Sequence, residues 1–207
     1  IIELLSRFNQ PEVAQALERQ LKDKNKLVRK AALEALAAMP GDRDIGLICS
    51  LLADPELEVQ ARAVDLVVKL RHPDTMKHLV NVLKDESEFA RRSAVEVLNE
   101  IAEPSTIKAL LMALEDGDWW VRSRASDALA KIGGPKVMDA VLQLVGDKNE
   151  NIRRSAIEIL NQTKDERAVD YLIKATRDND WWVRERAADA LAEIRSEKAA
   201  PALLEML

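Results

Sequence analysis

The stretch Asp116–Leu129 reads DGDWWVRSRASDAL, and the rest of the chain repeats its pattern. The opening aspartate recurs every 31 residues without insertion or deletion, at Asp23, Asp54, Asp85, Asp116, Asp147 and Asp178. Six residues after each aspartate comes an arginine or, once, a glutamine: Arg29, Gln60, Arg91, Arg122, Arg153 and Arg184. Three residues further on there is always an alanine. A fixed period of this length is typical of a repeat array, so the sequence predicts stacked units rather than one globular core.

Each unit is predicted to hold two amphipathic helices. In the first helix of one unit, Ile107, Leu110, Leu111 and Leu114 fall on one face. The predicted starts of the first helices are Pro11, Asp42, Pro73, Pro104, Pro135, Glu166 and Glu197. The second helices follow side chains that cap a helix N-terminus well: Asn25, Ser87, Asp118, Asn149 and Asp180. No strand pattern is visible, so the predicted fold class is all-α.

The ends of the second helices and of the chain also follow the period. Pro40-Gly41 and Gly133-Gly134 end second helices, and Glu56 departs from the capping pattern. We expect one array over 1–207, with a partial repeat at 1–10 and a final first helix at 197–207. The helix pairs between them are 11–41, 42–72, 73–103, 104–134, 135–165 and 166–196. Both ends are cut within a unit, so we expect a segment of a longer protein, or ends that pair with something else.

The pattern D-x-x-x-x-V-R-x-x-A-x-x-A-L at 31-residue spacing resembles the short HEAT-like repeats named after phycobilisome lyases. The same repeats served as the template for artificial alphaRep binders, and the resemblance covers Pro11–Leu207. It implies a right-handed α-solenoid, an α-α superhelix whose second helices line the concave face. It also implies a mostly non-catalytic family used for protein–protein contact. The sequence departs from the pattern at Gln60, Thr163 and Thr176.

A helical wheel at roughly 100° per residue separates two faces of the second helix that begins near Trp119. The core face contains Val121, Ala125, Ala128, Leu129 and Ile132. The opposite face contains Trp120, Ser123, Arg124, Asp127 and Lys131. The resemblance makes this opposite face the variable, concave-facing one. Trp119 lies to the side of both, so we expect Trp119 and Trp181 to pack against a neighbouring repeat, with exposure in the groove as the alternative.

The tryptophans concentrate in two WW pairs, which account for four of the seven aromatic residues. The register of Trp120 reads Leu27, Glu58, Phe89, Trp120, Asn151 and Trp182, a mostly apolar row. Exposed tryptophans beside arginines are typical of interface hot spots. We therefore predict a binding groove for another protein or a peptide segment. Its candidate residues are Phe89, Arg92, Trp119, Trp120, Arg124, Arg154, Trp181, Trp182 and Arg186. Burial of all four indoles between repeats is the alternative.

The aspartates and arginines that recur in nearly every unit have a different explanation. A binding site would occur once, whereas these positions form a ladder along the whole array. We predict a structural network in which each aspartate accepts from backbone N–H groups of the turn and each arginine reaches an adjacent aspartate. The ladder comprises Asp23, Asp54, Asp85, Asp116, Asp147 and Asp178 with Arg29, Arg91, Arg122, Arg153 and Arg184.

Charge argues against a nucleic-acid partner. The net charge is −5, and acidic residues outnumber basic ones among the predicted concave positions, whereas phosphate binding requires positive potential. A base-excision site with Trp120 beside Asp127 is a weaker alternative. Cys49 is the one cysteine, so no zinc spacing exists, and we predict neither a metal nor a cofactor.

The predicted function is a non-catalytic protein-interaction scaffold. The alternatives are a lyase-type or accessory subunit acting on a bilin, a nucleic-acid-binding protein, and a rigid spacer within a larger chain. No apolar run is long enough for a membrane span and no signal peptide is visible, so we expect a cytoplasmic protein without membrane contact.

Overall fold

A computed structural model describes residues 1–5, 7–8 and 10–207, and over these residues the chain is helical without a β-strand. The all-α prediction is therefore confirmed. The helices are α1 (Ile2–Leu5), α2 (Pro11–Gln20), α3 (Lys26–Ala38), α4 (Ile45–Ser50), α5 (Leu57–Leu70), α6 (Thr75–Val82), α7 (Glu88–Ile101), α8 (Ile107–Ala113), α9 (Trp119–Ile132), α10 (Gly134–Leu144), α11 (Glu150–Thr163), α12 (Val169–Ala175), α13 (Trp181–Ile194) and α14 (Ala200–Leu204). Within the predicted partial repeat at 1–10, Ser6 and Asn9 lie outside the described residues.

The chain divides into two compact units, Ile1–Ile101 and Ala102–Leu207. In the first unit the second helices α3, α5 and α7 pack against one another in succession, and in the second unit α9, α11 and α13 do the same. First helices pack beside their own second helices, as α2 does on α3 and α12 on α13. This succession of helix pairs is that of an α-solenoid, which confirms the predicted fold class.

The repeated alanine explains how closely the second helices stack. Every copy is fully buried, with 0% of its surface exposed: Ala32, Ala63, Ala94, Ala125, Ala156 and Ala187. A larger side chain there would separate helices that pack at an axis distance of about 8–10 Å. The predicted core face of α9 is buried at Val121, Ala125, Ala128 and Leu129, and Ile132 is half-buried.

The predicted capping residues are confirmed. The side chains of Asn25, Asp118, Asn149 and Asp180 each accept from the backbone N–H two residues later. Ser87 accepts from Ala90 at 3.4 Å, and Glu56 makes no side-chain cap. Each cap satisfies one of the backbone donors that a helix start leaves without an intrahelical partner.

The first helices begin later than predicted in most units. Pro104–Thr106, Glu166–Ala168 and Glu197–Ala199 form 3₁₀ turns before the α-helix begins. The segment that was expected to begin a helix at Asp42 is a loop, and α4 begins at Ile45. Arg43 holds this loop, because its guanidinium donates to the backbone carbonyls of Met39, Pro40 and Asp42.

Second helices from α5 onward end at one repeated position at which φ is positive. Five residues spaced 31 apart have positive φ: Arg71 (45°), Ala102 (42°), Gly133 (58°), Lys164 (52°) and Arg195 (59°). Arg71, Lys164 and Arg195 are left-handed there, at a cost of about 1–2 kcal/mol each. Gly133 instead combines its positive φ with a ψ of −157°, a conformation that glycine adopts because it has no Cβ. The repeat geometry thus imposes the turn on residues that do not favour it.

The turn between first and second helix is held from both sides by the ladder residues. Each ladder aspartate accepts, at 2.7–2.9 Å, from the backbone N–H two residues later. Each ladder arginine donates to the aspartate's own carbonyl at 2.7–2.9 Å and to the next carbonyl at 3.0–3.3 Å. These bonds satisfy backbone groups that the turn leaves outside regular secondary structure.

Some ladder arginines also join consecutive repeats. Arg29 makes a bidentate pair with Asp54, with both contacts at 2.7 Å, and Arg153 makes one with Asp178 at 2.8 and 2.9 Å. The guanidinium of Arg122 instead reaches Asn151 Oδ1 at 3.4 Å. A planar fork suits two parallel contacts to a carboxylate while its third nitrogen holds the carbonyls.

Gln60 is the uncharged residue at the ladder position that arginine occupies in the other repeats. Its Nε2 donates to the Asp54 carbonyl at 2.6 Å, as an arginine would, and its Oε1 accepts from Ser93 Oγ at 3.1 Å. The amide therefore holds its own turn and reaches the next second helix. The departures at Thr163 and Thr176 are satisfied as well, since their hydroxyls donate to the carbonyls of Leu160 and Ile173.

Among the described residues, no helix is both long enough and apolar enough to cross a membrane.

The two roles of the ladder arginine can be separated at Arg153. Arg153→Ala removes the carbonyl contacts and leaves Asp178 without its guanidinium, so we expect a loss of about 2–3 kcal/mol in the free energy of unfolding. Arg153→Gln keeps a donor for the Asp147 carbonyl, as Gln60 does for Asp54, and should recover about 1 kcal/mol of that loss. Urea unfolding followed by circular dichroism measures both. Equal losses would show that the carbonyl contact contributes nothing.

Candidate functional site

The two WW pairs lie in the first turn of α9 and α13. Trp119 and Trp181 are the first helical residues, and the caps Asp118 and Asp180 accept from the N–H groups of Trp120 and Trp182 at 3.0 and 3.1 Å. An aspartate cap of the same kind therefore fixes the start of each helix. As a result, the two pairs have equivalent positions in their repeats.

Trp120 and Trp182 are half-buried, and each lies beneath an arginine of its own helix. The guanidinium carbons of Arg124 and Arg186 lie 5.6 Å from the ring centroids of Trp120 and Trp182 respectively. Both arginines are four residues after their tryptophan and hence one turn further along the same helix face. This distance is within the range of a cation–π interaction. One face of each of these indoles is thus already covered by the protein itself.

Trp119 and Trp181 are the most exposed aromatic residues of the described part of the second unit, at 67% and 63%. The expectation that they pack against a neighbouring repeat is corrected by this exposure. Helical side chains lean over the turn that precedes their own Cα, but at the first helical position there is no preceding turn to cover. The indoles therefore extend beyond the helix start into solvent.

The helix α11 lies between the two pairs and carries polar residues in their place. Glu150 occupies the register of Trp119 and Trp181, and Asn151 that of Trp120 and Trp182. Since α9, α11 and α13 pack in succession, the exposed register reads indole, carboxylate, indole across this unit. The side chain of Glu150 is 60% exposed, and its nearest cation, Arg154, lies 4.0 Å away.

The arginines predicted to contact a partner are engaged within the protein. Arg186 pairs with Glu158 at 3.5 Å and with Asp189 at 3.3 Å, and Arg124 lies 3.7 Å from Asp127. Asp127, the carboxylate of the base-excision alternative, is thus beside a cation. Contact of these arginines with a partner stays a prediction, but their positive charge is largely balanced by their own neighbours.

Arg154 crosses to the next repeat and joins the capping network. Its Nε donates to Asp180 Oδ2, while Asp180 Oδ1 caps Trp182. The hydrogen bond from Arg154, opposed by burial and assisted by the Trp182 N–H, lowers the pKa of Asp180 below its usual value. Burial raises the pKa of the neighbouring Asp178, but the hydrogen bonds from Arg153 and the Asp180 N–H outweigh it and the net shift is downward.

In the first unit, cross-repeat ion pairs lie on the corresponding face. Lys26 pairs with Glu56 at 3.0 Å and Lys30 with Glu58 at 2.9 Å, joining α3 to α5. Phe89 is 44% exposed and carries Arg92 at 5.4 Å from its ring centroid, as Trp120 carries Arg124.

Sequence reasoning missed one of the exposed leucines of this unit, Leu57. Leu57 shares the register of Trp119 and is 59% exposed. Its exposure could have been predicted from its place directly after the N-cap residue Glu56, because the first residue of a helix lies at the open end of that helix.

The sequence model of HEAT repeats matches residues 1–64, 45–130, 77–158, 107–179 and 138–207. No curated protein matches the chain. The finer resemblance to repeats of the phycobilisome-lyase type stays a prediction.

Three solved structures are among those to which the chain is similar. A chain from the structure of Kap95p with RanGDP has a TM-score of 0.67 and 19% identity over 99% of this chain and 34% of that chain. The present chain thus spans about a third of that protein's length. The YIBA_ECOLI protein has a TM-score of 0.53 and 21% identity over 99% of this chain and 78% of that one. A designed armadillo repeat protein has a TM-score of 0.48 and 20% identity over 86% and 98%.

The depressed pKa values of Asp178 and Asp180 predict acid sensitivity. A carboxylate whose pKa is lower in the folded state stabilises the fold above its unfolded pKa of about 4 and loses this effect as the pH falls through the folded value. The parent should therefore lose stability in acid, and the D178N/D180N variant should lose less, because asparagine does not titrate. Urea midpoints at neutral pH and near pH 3 measure the difference. D170N, at an exposed position of α12, serves as the control, and an equal acid loss in D178N/D180N and parent would contradict the prediction.

The different exposure of the two tryptophan classes can be measured by fluorescence. Replacing Trp119 and Trp181 by phenylalanine should shift the emission to the blue and reduce quenching by acrylamide, since the half-buried indoles then dominate. The matched W120F/W182F variant should shift it to the red and raise the quenching. Identical spectra for the two variants would contradict the difference in exposure.

Proposed function

The chain belongs to the HEAT-repeat family, and from this premise we propose that it is a non-catalytic scaffold that binds a segment of another protein along its second helices. In the second unit the anchors are the tryptophan pairs of α9 and α13. In the first unit Phe89, with Arg92 over its ring, is a further anchor. An α-solenoid of such repeats is a fold typical of scaffolds, and its stacked helices present a row of equivalent positions.

The exposure of Trp119 and Trp181 is the observation that carries this proposal. Large aromatic side chains bury much apolar area and lose little conformational freedom on binding, so they dominate interface energetics. Neither indole is needed for the fold, because Lys26, Glu88 and Glu150 fill the same register of other repeats. Two exposed indoles in one unit are thus better explained by a partner than by packing.

The rigidity of the second helices supports the same conclusion. Capping by Asp118 and Asp180 fixes the first turn of α9 and α13, and the ladder fixes the turns before them. Anchors held on rigid elements lose less free energy on binding than anchors on mobile loops. An extended segment suits the arrangement, because the anchors repeat along the stacking direction rather than surround a cavity.

Selection from an unbiased peptide library against the whole chain tests this function. The selected peptides should bind W119A/W181A at least about tenfold more weakly than the parent, because hot-spot residues contribute about 2 kcal/mol or more. A smaller loss is expected for W120A/W182A, whose indoles are half-buried.

The control is Met112→Ala, which removes an exposed apolar side chain from the first helix α8 and should leave affinity unchanged. All variants must retain the parent's unfolding midpoint. Peptides that bind the tryptophan variants as tightly as the parent would overturn the proposed function.

A further inference from the structure

We propose that the segment bound by the second unit carries two cationic side chains, Lys or Arg, which lie on the indoles of Trp119 and Trp181 and are about six residues apart. This inference rests on the proposed scaffold function and identifies the chemistry of its partner.

The four indoles differ in which of them can accept a cation from outside. Trp120 and Trp182 already carry Arg124 and Arg186. Among the described residues, Trp119 and Trp181 have no such internal cation, and about two-thirds of their surface is open to solvent. The face of an indole is the best aromatic surface for an ammonium or guanidinium group. Trp120 and Trp182 therefore make their cation–π contact within the protein, whereas Trp119 and Trp181 present an exposed indole to a cation of a partner.

The charge around these indoles favours a cationic partner. The predicted partner-facing positions of α9, α11 and α13 contain four basic residues, Arg124, Lys131, Arg154 and Arg186. They contain six acidic residues, Asp127, Glu150, Glu158, Glu185, Asp189 and Glu193. Six carboxylates against four cations leave a net charge of −2 before any partner binds.

Two of these carboxylates lie next to the open indoles in the repeat geometry. Glu150 shares their register on the helix between them, and Glu185 follows Trp181 by four residues on the same face of α13. Both side chains are exposed, whereas Arg154 and Arg186 are turned to Asp180, Glu158 and Asp189. An incoming Lys or Arg would meet an indole and a carboxylate together. A partner with phosphates or acidic side chains would be repelled instead.

The repeat geometry sets the spacing of the two cations. Trp119 and Trp181 are two repeats apart, and successive packed helices are separated by about 8–10 Å, so the indoles are about 16–20 Å apart. An extended chain advances about 3.3 Å per residue, so about five or six residues span this distance. Even spacing would place both side chains on the same side of an extended segment, which favours six.

Synthetic peptides test the charge and the spacing separately. The probe is an uncharged Ser/Thr-based peptide with two arginines about six residues apart, titrated into the whole chain by calorimetry. One matched peptide has the arginines about three residues apart, and another has norleucine at both positions. The probe should bind roughly tenfold more tightly than either, because only it can engage both sites with charge. Added salt should weaken its binding, as should Glu150→Gln.

The same probe titrated into the variants locates the contact. W119A/W181A should abolish the advantage of the six-residue spacing, and W119A alone should reduce binding to that of a peptide with one arginine. Met112→Ala, on the first helix α8 and not among the proposed anchors, is the control and should keep both the affinity and the spacing preference. The inference is overturned if the norleucine peptide binds as well as the probe, or if W119A/W181A leaves the affinity of the probe unchanged.

The results of these experiments also distinguish a failure of this inference from a failure of the proposed scaffold function. Neutral or acidic library peptides that depend on Trp119 and Trp181, together with a probe that does not bind, would overturn the cationic partner and leave the scaffold in place. A library without any tryptophan-dependent peptide would overturn both.

Discussion

The structure depends on one arrangement, in which a single guanidinium holds the two backbone carbonyls of the turn between the helices of a repeat. Carbonyls in such a turn need hydrogen-bond partners, and the arginine six residues later supplies both from within the following helix. The aspartate of the same turn satisfies an N–H group two residues later. Because donor and acceptor are close in sequence, each repeat sets its own turn geometry. The turn between first and second helix is therefore held by the same kind of contacts in repeat after repeat, with Gln60 in place of the arginine once.

A constant turn is what gives the surface its order. When the turn is fixed and the alanine beneath it is fully buried, the second helices within each unit pack against one another in succession. Residues at the same register then form rows across the stack. Side chains that neighbour one another along such a row are therefore 31 residues apart in the sequence. Trp119, Glu150 and Trp181 form such a row because the turns that precede them are held by the same contacts.

Most of the fold could be predicted from the sequence because its determinants are local. Caps such as Asn149, the ladder positions and the buried alanines act within one or two turns of their own position, and each recurs often enough to be recognised. The first helices were placed less well, since Asp42 precedes a loop held by Arg43 through contacts that no periodic pattern reveals. The site was harder still. A wheel assigns a direction to Trp119 but does not show that a first helical residue lacks a preceding turn to cover.

The arginines on this surface show the same limit. The sequence analysis placed Arg124, Arg154 and Arg186 beside the tryptophans. It did not identify the carboxylates that engage them from a neighbouring helix, a cap or the next turn. Once these pairs are counted, the charge of the arginines is largely balanced by their own neighbours, and the exposed indoles lie in the acidic setting that the sequence already indicates. The half-buried tryptophan of each pair then contributes to the protein's own structure, with an arginine over its ring. At the exposed one, the described residues supply neither a covering turn nor a cation over the ring, and about two-thirds of its surface is open to solvent.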